Sequence, residues 1–376
     1  MVIFIYKLRG GYIFNMNYIG SKLSLLDFIN NTVISLLKSN NDHRATNKMT
    51  FADLFAGTGV VGANFKQNGY RIISNDIQYY SYVLNKHLIE NNKILEFTNL
   101  IAIFPKTNDY SFEKRQNFIL NFLENLDGIK GFVYNNYCLG GTINSEFPRQ
   151  YFSDENGMKC DTIRKKIEEW KFLNYINESE YYFLLSSLIN SIDKYANTAS
   201  VYGAFLKKLK ESAQKKLQLK PYLYTIESNQ DNIVYNTDID ELIKEIKGDI
   251  LYLDPPYNHR QYATNYHLLE TIAKNDQPII KGITGLREYA KEKSLYCSKV
   301  NALTSFENLI KNSNFNYIIL SYNNEGIISK EDIQRILSKK GKYLQFKMNH
   351  KRFKADNNRT HKKNSTIEYL HCVICN

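Results

Sequence analysis

Proline, cysteine and tryptophan are scarce in this chain: six, five and one among 376 residues. No apolar run approaches the roughly 18 residues that a membrane span needs, so no membrane helix is expected. The N-terminal stretch "MVIFIYKLRGGYIFNMNYIGSK" is briefly apolar. No basic segment precedes it and no A-x-A-type cleavage site follows, so it does not read as a signal peptide. Residues 1–15 read as a leader, with patterned sequence from Met16, which stands as an alternative start to Met1. Cys138, Cys160, Cys297, Cys372 and Cys375 are scattered, apart from the final Cys-x-x-Cys. A zinc site needs two further ligands at matching spacing and the sequence offers none, so no metal is expected. Alternation in "TIEYLHCVICN" fits a closing strand. The cysteines then read as packed and reduced, as in a cytoplasmic protein.

Acid is also in short supply. The 49 Lys and Arg exceed the 38 Asp and Glu, for a net charge of +11, and that surplus suits a polyanionic partner such as nucleic acid.

The chain is long enough for a large α/β core. Phe51–Phe55 is a short apolar run, Gly57-Thr58-Gly59 a tight turn, and Val60–Asn68 a helical pattern closed by Gly69. A second apolar run, Arg71–Asn75, ends at Asp76, and a helix follows from about Tyr79. This is one β-α-β unit, which implies parallel pairing with a right-handed crossover. From about Asn99 the strand signals vanish. "TIRKKIEEWKFLNYI", "SEYYFLLSSLINSIDKYA" and "YGAFLKKLKESAQKKLQLK" carry helical spacing instead. Strand signals resume near residue 229. The expected architecture is a doubly wound, mostly parallel Rossmann-like sheet over 16–98 and 229–376, with an inserted helical subdomain over 99–228. Tyr262–Lys274 and Lys330–Lys339 read as helices, and "NYIILSYNN", "KYLQFKMNH" and "STIEYLHCVIC" as strands.

A Gly-x-Gly after a strand lets a ligand approach backbone that has no Cβ. Asp76, at the tip of the next strand, is placed to accept from ribose hydroxyls. Gly62 completes a dinucleotide spacing, so the glycines alone leave nicotinamide and flavin ligands open. Asp53, just before the turn, is a poor neighbour for phosphates and a good one for a cation; S-adenosylmethionine carries a sulfonium and an ammonium. Asp238, in "YNTD", is placed to accept from an adenine amino group and equally to cap the helix that follows, and the two roles do not exclude each other.

Two of the six prolines stand together in Asp254-Pro255-Pro256-Tyr257, after the apolar run Ile250–Leu253. They fix two φ angles and remove two backbone donors. The corner offers a carboxylate, a locked carbonyl and a ring. Two acceptors aimed at an exocyclic amine turn its lone pair towards an electrophile, and Tyr257 supplies a stacking face. An amine inside a duplex is reached only if its base is flipped out.

With these pieces in place, the chain resembles the Dam-like class of DNA adenine N6-methyltransferases, in the motif order of FokI-type modification enzymes. "NYIGSKLSLLDFI" resembles the N-terminal motif that helps bind the methionine end of the cofactor, and "DLFAGTG" the glycine motif. "SND" resembles the ribose-binding acid, "NTD" the adenine-contacting acid and "DPPY" the catalytic motif. "GGTINSEFPRQYFSDENGMKCDTIRKKIEEW" and "ANTASVYGAFLKKLK" resemble the target-recognition region of the FokI-type subset. The resemblance implies transfer of the methyl group of S-adenosyl-L-methionine to a flipped adenine in double-stranded DNA, with a cognate restriction endonuclease as partner or as an orphan enzyme. Asp254, Pro255, Pro256 and Tyr257 are the implied catalytic residues. The implied cofactor residues are Tyr18, Lys22, Asp53, Phe55, Ala56, Gly57, Thr58, Gly59, Asp76, Ile77, Asp238 and Asp254. Other readings are a catalytically inactive DNA-binding protein of the same fold, an RNA adenine target, or a cytosine N4 target.

Candidate DNA contacts are Arg149 in "FPRQYF", then Asn258, Arg260, Tyr262 and Asn265 after the corner, and Lys351 and Arg352 in a basic hairpin. A second basic run spans Lys207 to Lys220. Such residues neutralise phosphates and make affinity salt-dependent.

Overall fold

Seven apolar runs become the strands of one sheet: β1 (Thr50–Asp53), β2 (Arg71–Asn75), β3 (Ile233–Tyr235), β4 (Gly248–Leu253), β5 (Phe315–Asn323), β6 (Gly341–Lys351) and β7 (Ser365–Cys375). This computed structural model describes residues 7–8, 11–12, 16, 18–223, 225–351 and 365–376. The spatial order is β3-β2-β1-β4-β5-β7-β6. Pairing from β3 through β5 is parallel, and β7 runs antiparallel to both neighbours. The result is a mixed α/β fold with a mostly parallel sheet.

The order has one consequence for function. The chain moves outward from β1 to β3, then returns to lay β4 on the other side of β1. Between β1 and β4 the winding reverses, and in open α/β sheets the crevice at the carboxyl ends of such a pair is where ligands bind. The two expected acids, Asp53 and Asp254, end those two strands.

Both faces of the sheet are covered. On one, Ala52, Leu54, Leu251, Leu253, Ile318, Leu320 and Val373 form a core with Ile239, Leu242, Phe306, Leu309, Ile333 and Ile336 from three helices. On the other, Phe51 stacks on Phe65 of the helix Val60–Gln67, with ring centroids 3.8 Å apart. Period-two alternation along β1 sends Phe51 and Asp53 to one face and Ala52 to the other.

The chain divides into two units. One takes in Gly20–Asn85, Ser228–Tyr262 and Lys291–Asn376 and holds the whole sheet. The other takes in Lys86–Glu227 and Ala263–Ala290, with the described residues before Gly20. It is largely helical, its longest helices being Asp154–Phe172 and Glu178–Lys194. Its bounds differ from the expected subdomain 99–228: this unit starts at Lys86, stops at Glu227 and takes in Ala263–Ala290 as well. In the expected leader, residues 7–8 pair antiparallel with 11–12.

Two expected helices differ. "YGAFLKKLKESAQKKLQLK" is helical only at Glu211–Gln214. Side chains of neighbouring elements take up its backbone instead: Asn156 accepts from the Leu217 N–H and donates to the Lys215 carbonyl, while Glu124 accepts from the Leu219 N–H and Ser191 from the Lys220 N–H. Tertiary hydrogen bonds override local helix propensity here. The helix expected over Tyr262–Lys274 breaks at Tyr266, leaving Tyr262–Asn265 and His267–Lys274. The Asn265 carbonyl accepts from the Tyr202 N–H rather than from its own helix.

All five cysteines are free thiols. No helix among the described residues is long and apolar enough to cross a membrane.

Phe51 is fully buried. A Phe51→Ala variant is expected to lose about 3–5 kcal/mol of stability in the sheet-bearing unit, measured by denaturant unfolding followed by circular dichroism.

Candidate active site

The site is built from the carboxyl ends of β1, β2 and β4. Gly57 and Gly59 adopt φ of 52° and 78°, the left-handed region that glycine occupies without strain. Three side chains fix this turn. The Gly57 carbonyl accepts from the Ser81 hydroxyl at 2.5 Å and the Asn85 amide at 3.2 Å. The Gly57 N–H donates to Asp76 at 2.8 Å. Ser81 and Asn85 carry no sequence signal beyond a helical pattern, so their role emerges only from the structure. Asp76 also accepts from the Gln78 N–H at 2.9 Å. The backbone carbonyls of Asp76 and Ile77 both accept from the Asn236 amide.

Asp53 is 1% exposed, and its Oδ1 has no hydrogen-bond partner. Burial pushes its pKa up to about 8; the negative charges of Asp254 and Asp76 add to the shift, and the Gly62 and Phe55 N–H groups oppose it. A buried carboxyl with an orphaned oxygen is a site prepared for a cation. The Phe55 ring packs edge-on against Tyr296, with centroids 5.1 Å apart. Thr58 and Ala56 are buried beside the turn. This donor set fits a cationic, ribose-bearing ligand.

Asp238 proves to be a helix cap. Its side chain accepts from the Asp240 N–H at 2.8 Å and opens the turn Ile239–Leu242. It remains exposed three residues beyond β3.

At the end of β4, Asp254 pairs with Lys22 at 2.9 Å, and both side chains are largely buried. The motif places Lys22 at the methionine end of the cofactor, and its contact with the corner carboxylate emerges only from the structure. Burial alone would favour the neutral amine of Lys22, but Asp254, Glu368 and Tyr257 outweigh it and raise its pKa. Burial lifts the Asp254 pKa to about 6, Lys22 opposes the rise and Glu368 adds to it. Glu368 was missed by the sequence reading. It is 8% exposed on β7, opposite Asn323 at the end of β5, and its Oε2 has no partner. Pro255 is buried and Pro256 half-buried. Tyr257 packs edge-on against Tyr322, with centroids 6.2 Å apart, and its carbonyl accepts from the Ile327 N–H. The corner is therefore held from both ends.

The remaining candidates separate. Asn258 and Arg260 are exposed just past the corner, with the Asn258 side chain accepting from the Arg260 N–H. Tyr262 closes against Gly20, where an added Cβ would lie 2.8 Å from the hydroxyl. Tyr18 and Asn265 belong to the other unit; Tyr18 stacks on Tyr266 there, with centroids 4.9 Å apart. Arg149 is corrected: it is 7% exposed and donates to the carbonyls of Asn136, Gly282 and Ile283, a buried clamp rather than an open DNA contact. Lys351 ends β6, and Arg352 lies outside the described residues.

A sequence model for the family described as D12 class N6 adenine-specific DNA methyltransferase matches residues 18–336. The chain is 50% identical to type II methyltransferase M.NlaIII of Neisseria lactamica, over 95% of this chain and 99% of that protein. It is 40% identical to type II methyltransferase M.FokI of Planomicrobium okeanokoites, over 90% of this chain and 50% of that one. It is 42% identical to modification methylase StsI of Streptococcus sanguinis, over 86% of this chain and 46% of that one. The chain thus spans nearly all of the first relative and about half of the other two. No solved structure matches it.

The charges around Asp254 make a testable set, with Lys22 lowering its pKa and Glu368 raising it. Carboxyl carbon NMR is expected to show Asp254 titrating at about 6. Lys22→Met should move that midpoint up and Glu368→Gln should move it down. An unmoved midpoint in both variants would uncouple Asp254 from its neighbours.

Proposed function

Because the chain belongs to the D12 class of N6 adenine-specific DNA methyltransferases, we propose that it transfers the methyl group of S-adenosyl-L-methionine to N6 of a flipped adenine in double-stranded DNA. It does so as the modification arm of a restriction–modification system in the cytoplasm, beside a cognate endonuclease. The observation that carries this reading is the placement of Asp53 and Asp254 at the ends of the two strands flanking the switch point, one beside the glycine turn and one opening the double-proline corner.

S-adenosylmethionine supplies a methyl group made electrophilic by its sulfonium. Asp53, Phe55, Ala56, Gly57, Thr58, Gly59, Asp76, Ile77 and Asp238 would hold it. In this reading Asp53 meets positive charge, Asp76 accepts from ribose hydroxyls, and the glycines let backbone approach.

The adenine amine is a poor nucleophile because its lone pair is delocalised into the ring. The Asp254 carboxylate accepts one N–H and a proline carbonyl of the corner accepts the other. These acceptors favour a tetrahedral nitrogen whose lone pair is free to take the methyl group that the bound cofactor would supply, leaving the cofactor as the neutral thioether. The extra proton then leaves N6 for Asp254 or solvent. Tyr257 stacks the base. Lys22 keeps Asp254 ionised, which it must be to accept, and the prolines place no N–H there to compete. Positioning and electrostatics supply the rate.

We assign DNA contact to Asn258, Arg260, Tyr262, Asn265 and the basic hairpin at Lys351 and Arg352, and target reading to the helical unit.

Labelled cofactor incubated with duplex DNA, followed by digestion to nucleosides, is expected to place label on N6-methyladenine. Asp254→Ala should reduce transfer by about a thousandfold or more, the scale of losing a preorganised electrostatic partner, while cofactor binding persists. Label confined to cytosine or taken up only by RNA would reassign the substrate. Binding of DNA and cofactor without transfer would make the protein a binding module.

A further inference from the structure

Beyond the reaction site, the helical unit contains a loop that is far more tightly built than its exposure requires. Asp276 and Arg287 close its base through paired hydrogen bonds of 3.0 and 2.5 Å. Above them Lys281 and Leu286 exchange backbone hydrogen bonds of 2.9 Å in both directions. Between them lies the turn Gly282-Ile283-Thr284-Gly285.

Each of its four carbonyls faces a buried side-chain donor. Arg149 donates to Gly282 at 2.8 Å and to Ile283 at 3.2 Å. The Tyr151 hydroxyl reaches Thr284 at 3.0 Å while shared with the Tyr202 carbonyl, and the Tyr137 hydroxyl donates to Gly285 at 3.0 Å. Tyr137 and Tyr151 are fully buried. Gly282 and Gly285 have φ of 68° and 67°, and a Cβ on Gly285 would lie 2.9 Å from the Tyr137 ring. Asn275 and Gln277 adopt the same region without being glycine, at φ of 52° and 47°. Backbone held in sparsely populated conformations by its surroundings is a mark of functional segments.

What this frame presents is apolar. Ile283 at the tip is 64% exposed and Ile279 is 79% exposed. Lys281 lies exposed between them, and residues 277–286 contain no acid. Scattered exposed isoleucines need no explanation. An isoleucine raised on a rigid turn, beside a lysine and with no acid in the loop itself, has the make-up of the apolar wedges that proteins insert between stacked bases next to phosphates. A protein partner would instead favour a broad apolar patch with aromatic anchors.

We propose that the loop 277–286 is a wedge that enters duplex DNA at a base step, with Ile283 as the inserted side chain. This rests on the reading of the substrate as adenine in a duplex. The wedge eases unstacking, so its benefit is greatest where the target is stacked and paired, and smallest where the base is already loose.

The test uses the full chain and a duplex bearing a target adenine mapped from methylated host DNA. The adenine is paired with thymine in one duplex and set opposite an abasic site in the other. Ile283→Ala is expected to lower kcat/KM about tenfold or more on the paired duplex and by less than about twofold on the abasic one, since a loose base needs little unstacking. Ile283→Leu should restore the paired-duplex rate. Equal losses on both duplexes, or no loss on either, would overturn the wedge alone. A change in the free protein's sedimentation with an unaltered ratio of rates would assign the loop to self-association and also overturn it. Absence of transfer by the wild type to either duplex would bring down the underlying reading as well.

Discussion

Three carboxyl groups converge on one end of a sheet that buries them. Asp53 and Asp254 end adjacent strands, Glu368 arrives on β7, and Lys22 supplies the positive charge in contact with Asp254. Buried charge of one sign is costly unless paired. The rest of the site follows from how that cost is met. Lys22 holds Asp254 in its ionised form. Asp53 is pushed towards its neutral form by burial and by the negative charges of Asp254 and Asp76. A site short of positive charge on one side and fixed in its acceptors on the other is suited to moving a cationic methyl group onto an amine.

The stiffness around these acids has the same logic. Gly57 is tied at its N–H by Asp76 and at its carbonyl by Ser81 and Asn85. The double proline is anchored through Tyr257 to Tyr322 and Ile327. Groups held in place before the reaction need no reorganisation during it, which is where such a site gains its rate.

Much of this was legible in the sequence, for identifiable reasons. β2 matches its expected bounds, because an apolar run ended by an acid and followed by a helical pattern leaves little choice of register. The glycine turn was readable because only glycine takes those φ angles freely. The corner stood out because two of so few prolines are adjacent. Long-range partners were not legible. Nothing local tells that β7 inserts between β5 and β6, so Glu368 could not be placed beside Lys22. Nor does the Lys22 motif announce an ion pair with a residue on the far side of the chain. Arg149 shows the opposite error: a lone arginine in a loop-like stretch reads as a surface contact, and only the fold reveals carbonyls waiting for it. The missing helix near Lys210 fails for a similar reason, since Asn156, Glu124 and Ser191 come from distant elements to claim its backbone.

In the proposed reaction the buried Asp53 carboxyl is the acceptor for the positive charge of the cofactor. With its pKa at about 8, Asp53 is mostly protonated at pH 7, and a bound cation favours the carboxylate. Binding should therefore release a proton, and affinity should rise as pH climbs towards 8 and level off above it. Calorimetry of S-adenosylmethionine binding to the protein alone, in buffers of different ionisation enthalpy at pH 7, measures this directly. Release of about one proton is expected, lost in Asp53→Asn together with affinity. No proton release, with unchanged affinity in Asp53→Asn, would contradict it.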